Sequence, residues 1–85
     1  MNLAWTEFAW EEYLYWQETN KQMVKKINRL IKDIKRSPFE GIGKPEALKF
    51  DLVGKWSRRI DAEHRLVYEI DALTNIIIYQ CKYHY

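Results

Sequence analysis

The chain has 85 residues, of which 47% are hydrophobic and 15% aromatic, so it is long enough for one domain with one core and too short for two. Its single cysteine excludes an internal disulfide and favours a reducing compartment. The sequence has neither a signal-peptide pattern at its start nor a run of about 18 apolar residues that would cross a membrane. We therefore expect a cytoplasmic protein that does not act at a membrane.

The formal net charge is only +2, but the charges are unevenly distributed. The charged side chains of residues 7–19 are all acidic, whereas residues 21–36 carry seven Lys or Arg against Asp33 alone. A basic surface of this kind can attract a polyanion. The simpler interpretation is the solvated side of an amphipathic helix, and we favour it over contact with RNA.

The N-terminal half predicts a strand followed by two helices. Residues 2–6 form a short apolar strand, and Thr6 can cap a helix that begins at Glu7 and continues to about residue 19. This helix carries much of the apolar surface through Phe8, Trp10, Tyr13, Leu14 and Trp16. Asn20 can cap a second helix, which ends before Pro38. The apolar residues of the second helix form one stripe at helical spacing: Met23, Val24, Ile27, Leu30, Ile31 and Ile34.

The C-terminal half predicts a loop followed by strands. Residues 37–45 have the composition of turns and loops. Apolar and polar residues then alternate over residues 48–52, which predicts a half-buried strand with Lys49 on its outer face. Further strands are predicted at Trp56–Asp61, Arg65–Asp71 and residues 76–79, the last one apolar on both faces like a central strand. We expect an α+β fold in which a mainly antiparallel sheet of four or five strands carries both helices on one face.

The second half of the chain also contains the side chains suited to catalysis: Glu46, Lys49, Arg58, Arg59, Arg65, Lys82, His84 and Tyr85. RNA cleavage through the ribose 2′-OH needs a base, an acid for the departing 5′-oxygen, and cations that stabilise negative charge on phosphorus. Glu46, His84 and Arg65 would supply these three functions if the fold brings them together. With two histidines and one cysteine, a dedicated zinc site is not expected.

Each of these residues also has a structural interpretation. Glu46 would more often be an exposed loop acid, and any one of the arginines is equally well explained as the partner of an acid on the sheet. Arg59 and Arg65 are better candidates than Arg58, which alternates in phase with apolar residues. His84 is the penultimate residue, and chain ends usually fray. The apolar strand before it would have to hold the end of the chain in place.

Two further residues have mainly structural interpretations. His64 lies in a predicted turn, where a structural or solvent-facing role is expected. Cys81 is expected to pack as a small apolar residue.

Six segments occur along the chain in a characteristic order: Tyr13–Thr19, Pro38–Gly41, Gly43–Glu46, Trp56–Ile60, Glu63–Tyr68 and Tyr83–Tyr85. Together they resemble the YoeB/Txe toxins of the RelE-like superfamily over essentially the whole chain, and residues 71–75 are the least similar part. The resemblance implies a single RelE-like toxin domain over residues 1–85. It also implies a ribosome-dependent endoribonuclease that cuts mRNA in the decoding A site and thereby inhibits translation.

The resemblance assigns a role to each matched residue. Glu46 is similar in place to the general base, His84 to the general acid, and Arg65 to the group that stabilises the phosphorane. The substrate-binding residues that it implies are Lys49, Arg59 and Tyr85. The products would be a 2′,3′-cyclic phosphate, or its opened 3′-phosphate, and a 5′-hydroxyl. No metal and no cofactor is implied.

The implied partners are mRNA, the bacterial ribosome with its rRNA, a YefM/Axe-like antitoxin that neutralises the toxin, and a second copy in a homodimer. The alternative, from a different functional class, is a ParE-like toxin, which has a related fold and binds gyrase without cutting RNA. Glu46 and His84 argue against it, since a gyrase binder needs neither. A family member that still binds its partners but no longer cleaves is a second alternative.

Overall fold

The computed structural model describes residues 1–84, which form two helices and five strands. In chain order these are β1 (Leu3–Trp5), α1 (Glu7–Thr19), α2 (Lys21–Arg36), β2 (Glu46–Ala47), β3 (Trp56–Arg59), β4 (Arg65–Ile70) and β5 (Ile76–Gln80). A short 3-10 helix, Phe50–Leu52, lies between β2 and β3. Neither α1 nor α2 has the length and apolar character that a membrane-crossing helix needs.

Both helices begin where a side chain satisfies their first backbone N–H groups. Thr6 Oγ1 accepts a hydrogen bond from the Ala9 N–H at 3.1 Å. Asn20 Oδ1 accepts from the N–H groups of Gln22 and Met23 at 3.1 and 3.3 Å. The predicted starts of both helices are therefore confirmed.

The core lies between α2 and one face of the sheet. The buried residues of the predicted α2 stripe are Met23, Ile27, Leu30, Ile31 and Ile34, while Val24 is partly buried against the same core. They belong to one cluster with the strand residues Leu66, Tyr68, Ile76 and Ile78. The predicted amphipathic helix is thus confirmed, and its apolar stripe attaches it to the sheet.

The first helix contributes less to the core than its composition suggests. Phe8, Trp10 and Leu14 are exposed by 62%, 43% and 39%. The buried residues of α1 are Ala9, Glu12 and Trp16. Because α1 contacts the core along this narrow strip, several of its large apolar side chains remain partly exposed.

The strands of residues 1–84 form one sheet in the order β1-β5-β4-β3-β2. β1 pairs in parallel with β5, whereas the pairings of β5 with β4, β4 with β3 and β3 with β2 are antiparallel. β5 therefore has a neighbour on each side, which agrees with its apolar sequence. The predicted α+β architecture, with a mainly antiparallel sheet and two helices on one face, is confirmed.

The strand predicted over residues 48–52 is wrong. The pairing of β2 with β3 stops at Ala47. The chain then reverses in a loop, in which the Leu48 N–H donates to the Lys55 carbonyl at 2.9 Å. Phe50 in this loop has φ 57° and is 90% exposed. The alternation misleads because Leu48 is buried within the loop itself, and a local pattern does not reveal where the chain must turn back.

The same loop removes Lys49 from the sheet. Lys49 is exposed and precedes the short helix Phe50–Leu52. The predicted place of Lys49 on the outer face of a strand is therefore wrong. Arg59 and Arg65 do lie on strands, β3 and β4.

Candidate active site

A cavity of about 350 Å³ opens beside β3 and β4. Among residues 1–84, those that line it are Lys44, Pro45, Glu46, Ser57, Arg59, Arg65 and His84. The three residues predicted to act as base, acid and phosphorane stabiliser therefore meet in one place, together with Arg59. The sequence alone did not indicate Lys44 or Ser57 as part of this surface.

Strand pairing brings most of these residues together. Glu46 on β2 is opposite Ser57 on β3. Arg59 on β3 is opposite Arg65 on β4. Since residues two apart on a strand share a face, Ser57 and Arg59 lie on one face of β3 and Arg58 lies on the other. The cavity is thus on the face of the sheet opposite the helices.

A glycine turn holds Glu46 beside β3. Gly43 has φ 80°, and its carbonyl accepts from the Arg59 N–H at 2.7 Å. A Cβ at this position would lie 2.8 Å from Leu30 Cδ2 and 3.0 Å from the Arg59 carbonyl oxygen. Glycine is therefore required by both the backbone conformation and the available space. The turn leads Lys44 and Glu46 to the edge of the cavity.

Backbone carbonyls orient the Arg65 guanidinium. Its Nη1 donates to the Asp61 carbonyl at 2.9 Å and to the His64 carbonyl at 3.2 Å, and the residue is half-buried. Among residues 1–84, no carboxylate forms an ion pair with Arg65 or Arg59. Both guanidinium groups therefore remain available to an anion that enters the cavity.

His84 reaches the cavity because the backbone before it is held against β4. The Tyr83 carbonyl accepts from the Arg65 N–H at 3.0 Å, so the next residue, His84, stands beside Arg65. This attachment opposes the fraying that is usual at a chain end. Tyr85 lies outside the described residues, and its role in positioning RNA stays a prediction.

Lys49 lies in a neighbouring groove and does not line the cavity. The groove has a volume of about 510 Å³ and is lined by residues 46–52. Glu46 lines both spaces, so the groove that contains Lys49 adjoins the cavity.

Arg58, on the opposite face of β3, belongs to a buried polar cluster. It is fully buried, and its Nη1 donates to Asp33 Oδ2 at 2.6 Å. Its other hydrogen bonds reach the Tyr68 hydroxyl and the carbonyls of Ser37, Glu40 and Ile42. The predicted alternation, which places Arg58 in phase with the apolar residues of β3, is therefore confirmed by its burial.

Asp33 is the acidic partner in this cluster, and sequence reasoning missed its role. The Arg58 guanidinium lowers the pKa of Asp33 to about 2, with further help from the Ile42 N–H and from Arg36. The available signal was that Asp33 is the single acid of a basic helix and directly precedes Ile34 of the apolar stripe. Its partner could not be named, because it lies on a distant strand.

Two other predictions concern buried groups. Cys81 is fully buried, and burial, with the nearby Glu12, raises the pKa of its thiol to about 12. It packs as a small apolar residue, as expected. His64 is also buried, which agrees with a structural role. Within residues 1–84 no three His, Cys, Asp or Glu side chains group as metal ligands would.

Residues 5–85 match the protein family described as YoeB-like toxin of bacterial type II toxin-antitoxin system. Toxin YoeB from Escherichia coli (strain K12) is 60% identical over 85 residues, with all of both chains covered. The solved YoeB/ParE toxin from Agrobacterium tumefaciens is 51% identical, covers both chains completely and has a TM-score of 0.97.

Staphylococcus aureus provides further solved structures. The YoeB–YefM complex is 55% identical, with a TM-score of 0.92 over 100% of this chain and 98% of that one. The YoeB dimer is 53% identical, with the same TM-score and coverage. These similarities confirm the fold predicted from the sequence motifs.

Proposed function

Because this chain belongs to the YoeB-like toxin family of bacterial type II toxin–antitoxin systems, we propose that it is an endoribonuclease that cleaves mRNA in the ribosomal A site and inhibits translation. The observation that carries this proposal is the cavity that Glu46, Arg65 and His84 line together. A carboxylate, an imidazole and a guanidinium in one place are the groups that metal-free cleavage of RNA requires.

In this mechanism the Glu46 carboxylate takes the proton of a ribose 2′-OH, and the 2′-oxygen attacks the adjacent phosphorus. The bond between phosphorus and the 5′-oxygen of the next nucleotide breaks, and His84 protonates that oxygen as it leaves. The products are a 2′,3′-cyclic phosphate, which can open to a 3′-phosphate, and a 5′-hydroxyl. Base and acid each contribute on the order of 10²- to 10⁴-fold.

The cations act on the phosphate. Arg65 stabilises the negative charge that develops on the five-coordinate phosphorus, and its attachment to two carbonyls supports this role because the guanidinium is oriented before substrate binds. Arg59, on the neighbouring strand β3, binds the same phosphate or an adjacent one. We assign Lys49 to a flanking phosphate, since it lies in the adjoining groove, and Tyr85 to positioning of the RNA.

The exposure of the site supports its dependence on the ribosome. Glu46, Arg59 and His84 are all exposed, so the described part of the chain offers an open surface to a flexible RNA strand. In-line attack needs the 2′-oxygen, the phosphorus and the leaving oxygen to be aligned. A ribosome that holds the mRNA in its A site would supply this alignment.

We also propose an antitoxin partner and a homodimer. The relative from Staphylococcus aureus was solved both as a YoeB dimer and as a YoeB–YefM complex. A partly disordered YefM/Axe-like antitoxin that becomes ordered on this chain would cover the cavity or move the residues that line it.

The test compares Glu46→Gln with Glu40→Gln, a matched change at an exposed acid of the preceding loop. Ribosomes carrying a defined mRNA are mixed with each purified protein, and single-turnover cleavage and the RNA ends are measured. We expect Glu46→Gln to lower the cleavage rate at least about 100-fold. Glu40→Gln should cleave at the wild-type rate. His84→Gln should lower the rate to a similar extent while ribosome binding persists.

If Glu46→Gln or His84→Gln cleaved mRNA at the wild-type rate, the substituted residue would have no part in the mechanism. Intact mRNA in cells that express the wild-type chain, together with DNA double-strand breaks, would favour the ParE-like alternative. Intact mRNA on ribosomes that bind the chain normally would instead indicate a toxin that binds without cleaving.

A further inference from the structure

The segment that follows β5 is attached to the rest of the molecule through its backbone. The Cys81 N–H donates to Glu12 Oε1 at 2.8 Å, and the Cys81 carbonyl accepts from Trp16 Nε1 at 2.9 Å. Gln80 Nε2 donates to the Lys82 carbonyl at 3.0 Å. Two buried side chains of α1 and one at the end of β5 thus hold the first two residues of this segment.

The last contacts before His84 involve Tyr83. The Tyr83 N–H donates to His64 Nδ1 at 2.6 Å, and the Tyr83 carbonyl accepts from the Arg65 N–H at 3.0 Å. Two consecutive residues of the chain, His64 and Arg65, therefore hold both polar groups of the Tyr83 backbone. Tyr83 itself has φ 63°, a conformation that costs a non-glycine residue energy and needs such contacts to persist.

The environment of His64 keeps its ring in one orientation. The residue is 8% exposed, and its ring packs against Trp16 at 4.9 Å and Tyr83 at 5.4 Å between ring centroids. Because Nδ1 accepts a hydrogen bond, the proton of the neutral ring is on Nε2, which lies 3.6 Å from Glu63 Oε1.

We propose that His64 is a positioning residue for the cleavage reaction, which acts by fixing the Tyr83 backbone so that His84 stands against Arg65 in the cavity. The inference rests on the proposed function, since it concerns where the general acid is held. His64 does not line the cavity and therefore acts through the chain end.

The expected size of the effect follows from geometry. His84 directly follows Tyr83, whose N–H makes the hydrogen bond to His64, so loss of that bond loosens the backbone that places His84. A displacement of about 1 Å at a catalytic group can lower the rate about 100-fold.

Two variants separate the hydrogen bond from the packing. His64→Asn places an amide oxygen near the position of Nδ1 and keeps an acceptor for the Tyr83 N–H, but it removes the ring. His64→Phe keeps a ring of similar size and removes the acceptor. In single-turnover cleavage on ribosomes, we expect His64→Phe to be about 30- to 100-fold slower than wild type and His64→Asn to remain within about threefold. Ribosome binding should be unchanged in both.

A double-mutant cycle with His84→Gln excludes a general loss of structure. If His64 acts only through His84, adding His64→Phe to His84→Gln lowers the residual rate no further. A second readout is the hydrogen exchange of the Tyr83 amide, which should be at least about tenfold faster in His64→Phe than in His64→Asn. This measurement does not depend on catalysis, so it tests the attachment even if the proposed nuclease activity is wrong.

Several outcomes would overturn the inference. A loss of rate in His64→Asn with His64→Phe at the wild-type rate would show that ring packing matters and the acceptor does not, and equal losses in both would show that the acceptor is not the deciding group. Additive losses in the cycle would show that His64 acts on something other than His84. If His64→Phe does not fold, His64→Leu takes its place, and unchanged Tyr83 exchange in that variant would equally contradict the proposal.

Discussion

Arg58 and Arg59 are consecutive residues of β3, yet they lie in two regions of opposite character. Arg58 is fully buried on the helix side of the sheet, where it pairs with Asp33 and bonds the Tyr68 hydroxyl. Arg59 is exposed on the other side, where it lines the cavity with Glu46, Arg65 and His84. We call these the inner cluster (Asp33, Arg58, Tyr68) and the outer cluster (Glu46, Arg59, Arg65, His84).

The comparison teaches that the surroundings of an arginine decide its role. In the inner cluster the guanidinium has internal acceptors, among them the carbonyls of Ser37, Glu40 and Ile42. Its charge is therefore used to hold the loop after α2. In the outer cluster no carboxylate of residues 1–84 forms an ion pair with either arginine, so their charge can act on an anion from outside.

The two clusters are also connected. The loop that the inner cluster holds continues through Gly43, whose carbonyl bonds the Arg59 N–H, and then reaches Glu46. The buried ion pair thus supports the backbone that carries the proposed base. We expect damage to the inner cluster to affect stability first, and damage to the outer cluster to affect catalysis alone.

The largest effect is expected for Arg58→Met. This change leaves Asp33 buried without its main partner and deprives three loop carbonyls of their donor, which costs about 3–5 kcal/mol. The free energy of unfolding, measured by urea denaturation, should fall by this amount, a large part of the total for a small domain. Arg59→Met, one residue away, should change it by no more than about 0.5 kcal/mol. Similar losses in both variants would mean that the two regions do not differ as described.

A kinetic comparison within the outer cluster should give the next largest effect. Arg65→Met is expected to lower the rate of the chemical step about 10²- to 10³-fold, because its guanidinium is pre-oriented toward the developing charge. Arg59→Met should weaken RNA binding about tenfold and change the chemical step much less. Single-turnover rates at saturating and limiting ribosome concentrations separate the two effects. If Arg65→Met weakened binding alone, Arg65 would be reassigned to substrate docking.

The smallest effect is expected for the loss of folding stability at low pH. Hydrogen bonds from Arg58 first, then from Ile42 and Arg36, lower the pKa of Asp33 from 3.8 to about 2. A lowered pKa means that the carboxylate stabilises the fold fully above about pH 4, and that this stabilisation is lost as the pH falls toward 2. Urea denaturation between pH 5 and pH 2 should therefore show a steeper loss of stability for wild type than for Asp33→Asn. Parallel profiles would contradict the role given to this pair.

Much of the fold was predictable because its causes are local. The caps at Thr6 and Asn20 and the apolar stripe of α2 depend on residues a few positions apart, and all were confirmed. Alternation along β3 was enough to separate Arg58 from Arg59. The same kind of pattern failed over residues 48–52, because a reversal of the chain depends on where β3 begins.

The candidate site was predictable in its members and not in its arrangement. The motifs indicated Glu46, Arg65 and His84, but their meeting in one cavity depends on strand register and on the attachment of the chain end. The partner of Arg58 was not predictable, since Asp33 is 25 positions away in the chain. The separation of Lys49 from the cavity was not predictable either, because it follows from the loop between β2 and β3.

The amino-acid sequence by itself determined the two helices, the strands from Trp56 onward, and the chemical groups available for catalysis, because each depends on neighbours along the chain. Only the tertiary structure decided which groups bind the buried Arg58 and how His84 reaches the cavity. These outcomes depend on hydrogen bonds between distant segments, such as Asp33 with Arg58 and His64 with Tyr83. Such pairs form only when the sheet and helices have assembled.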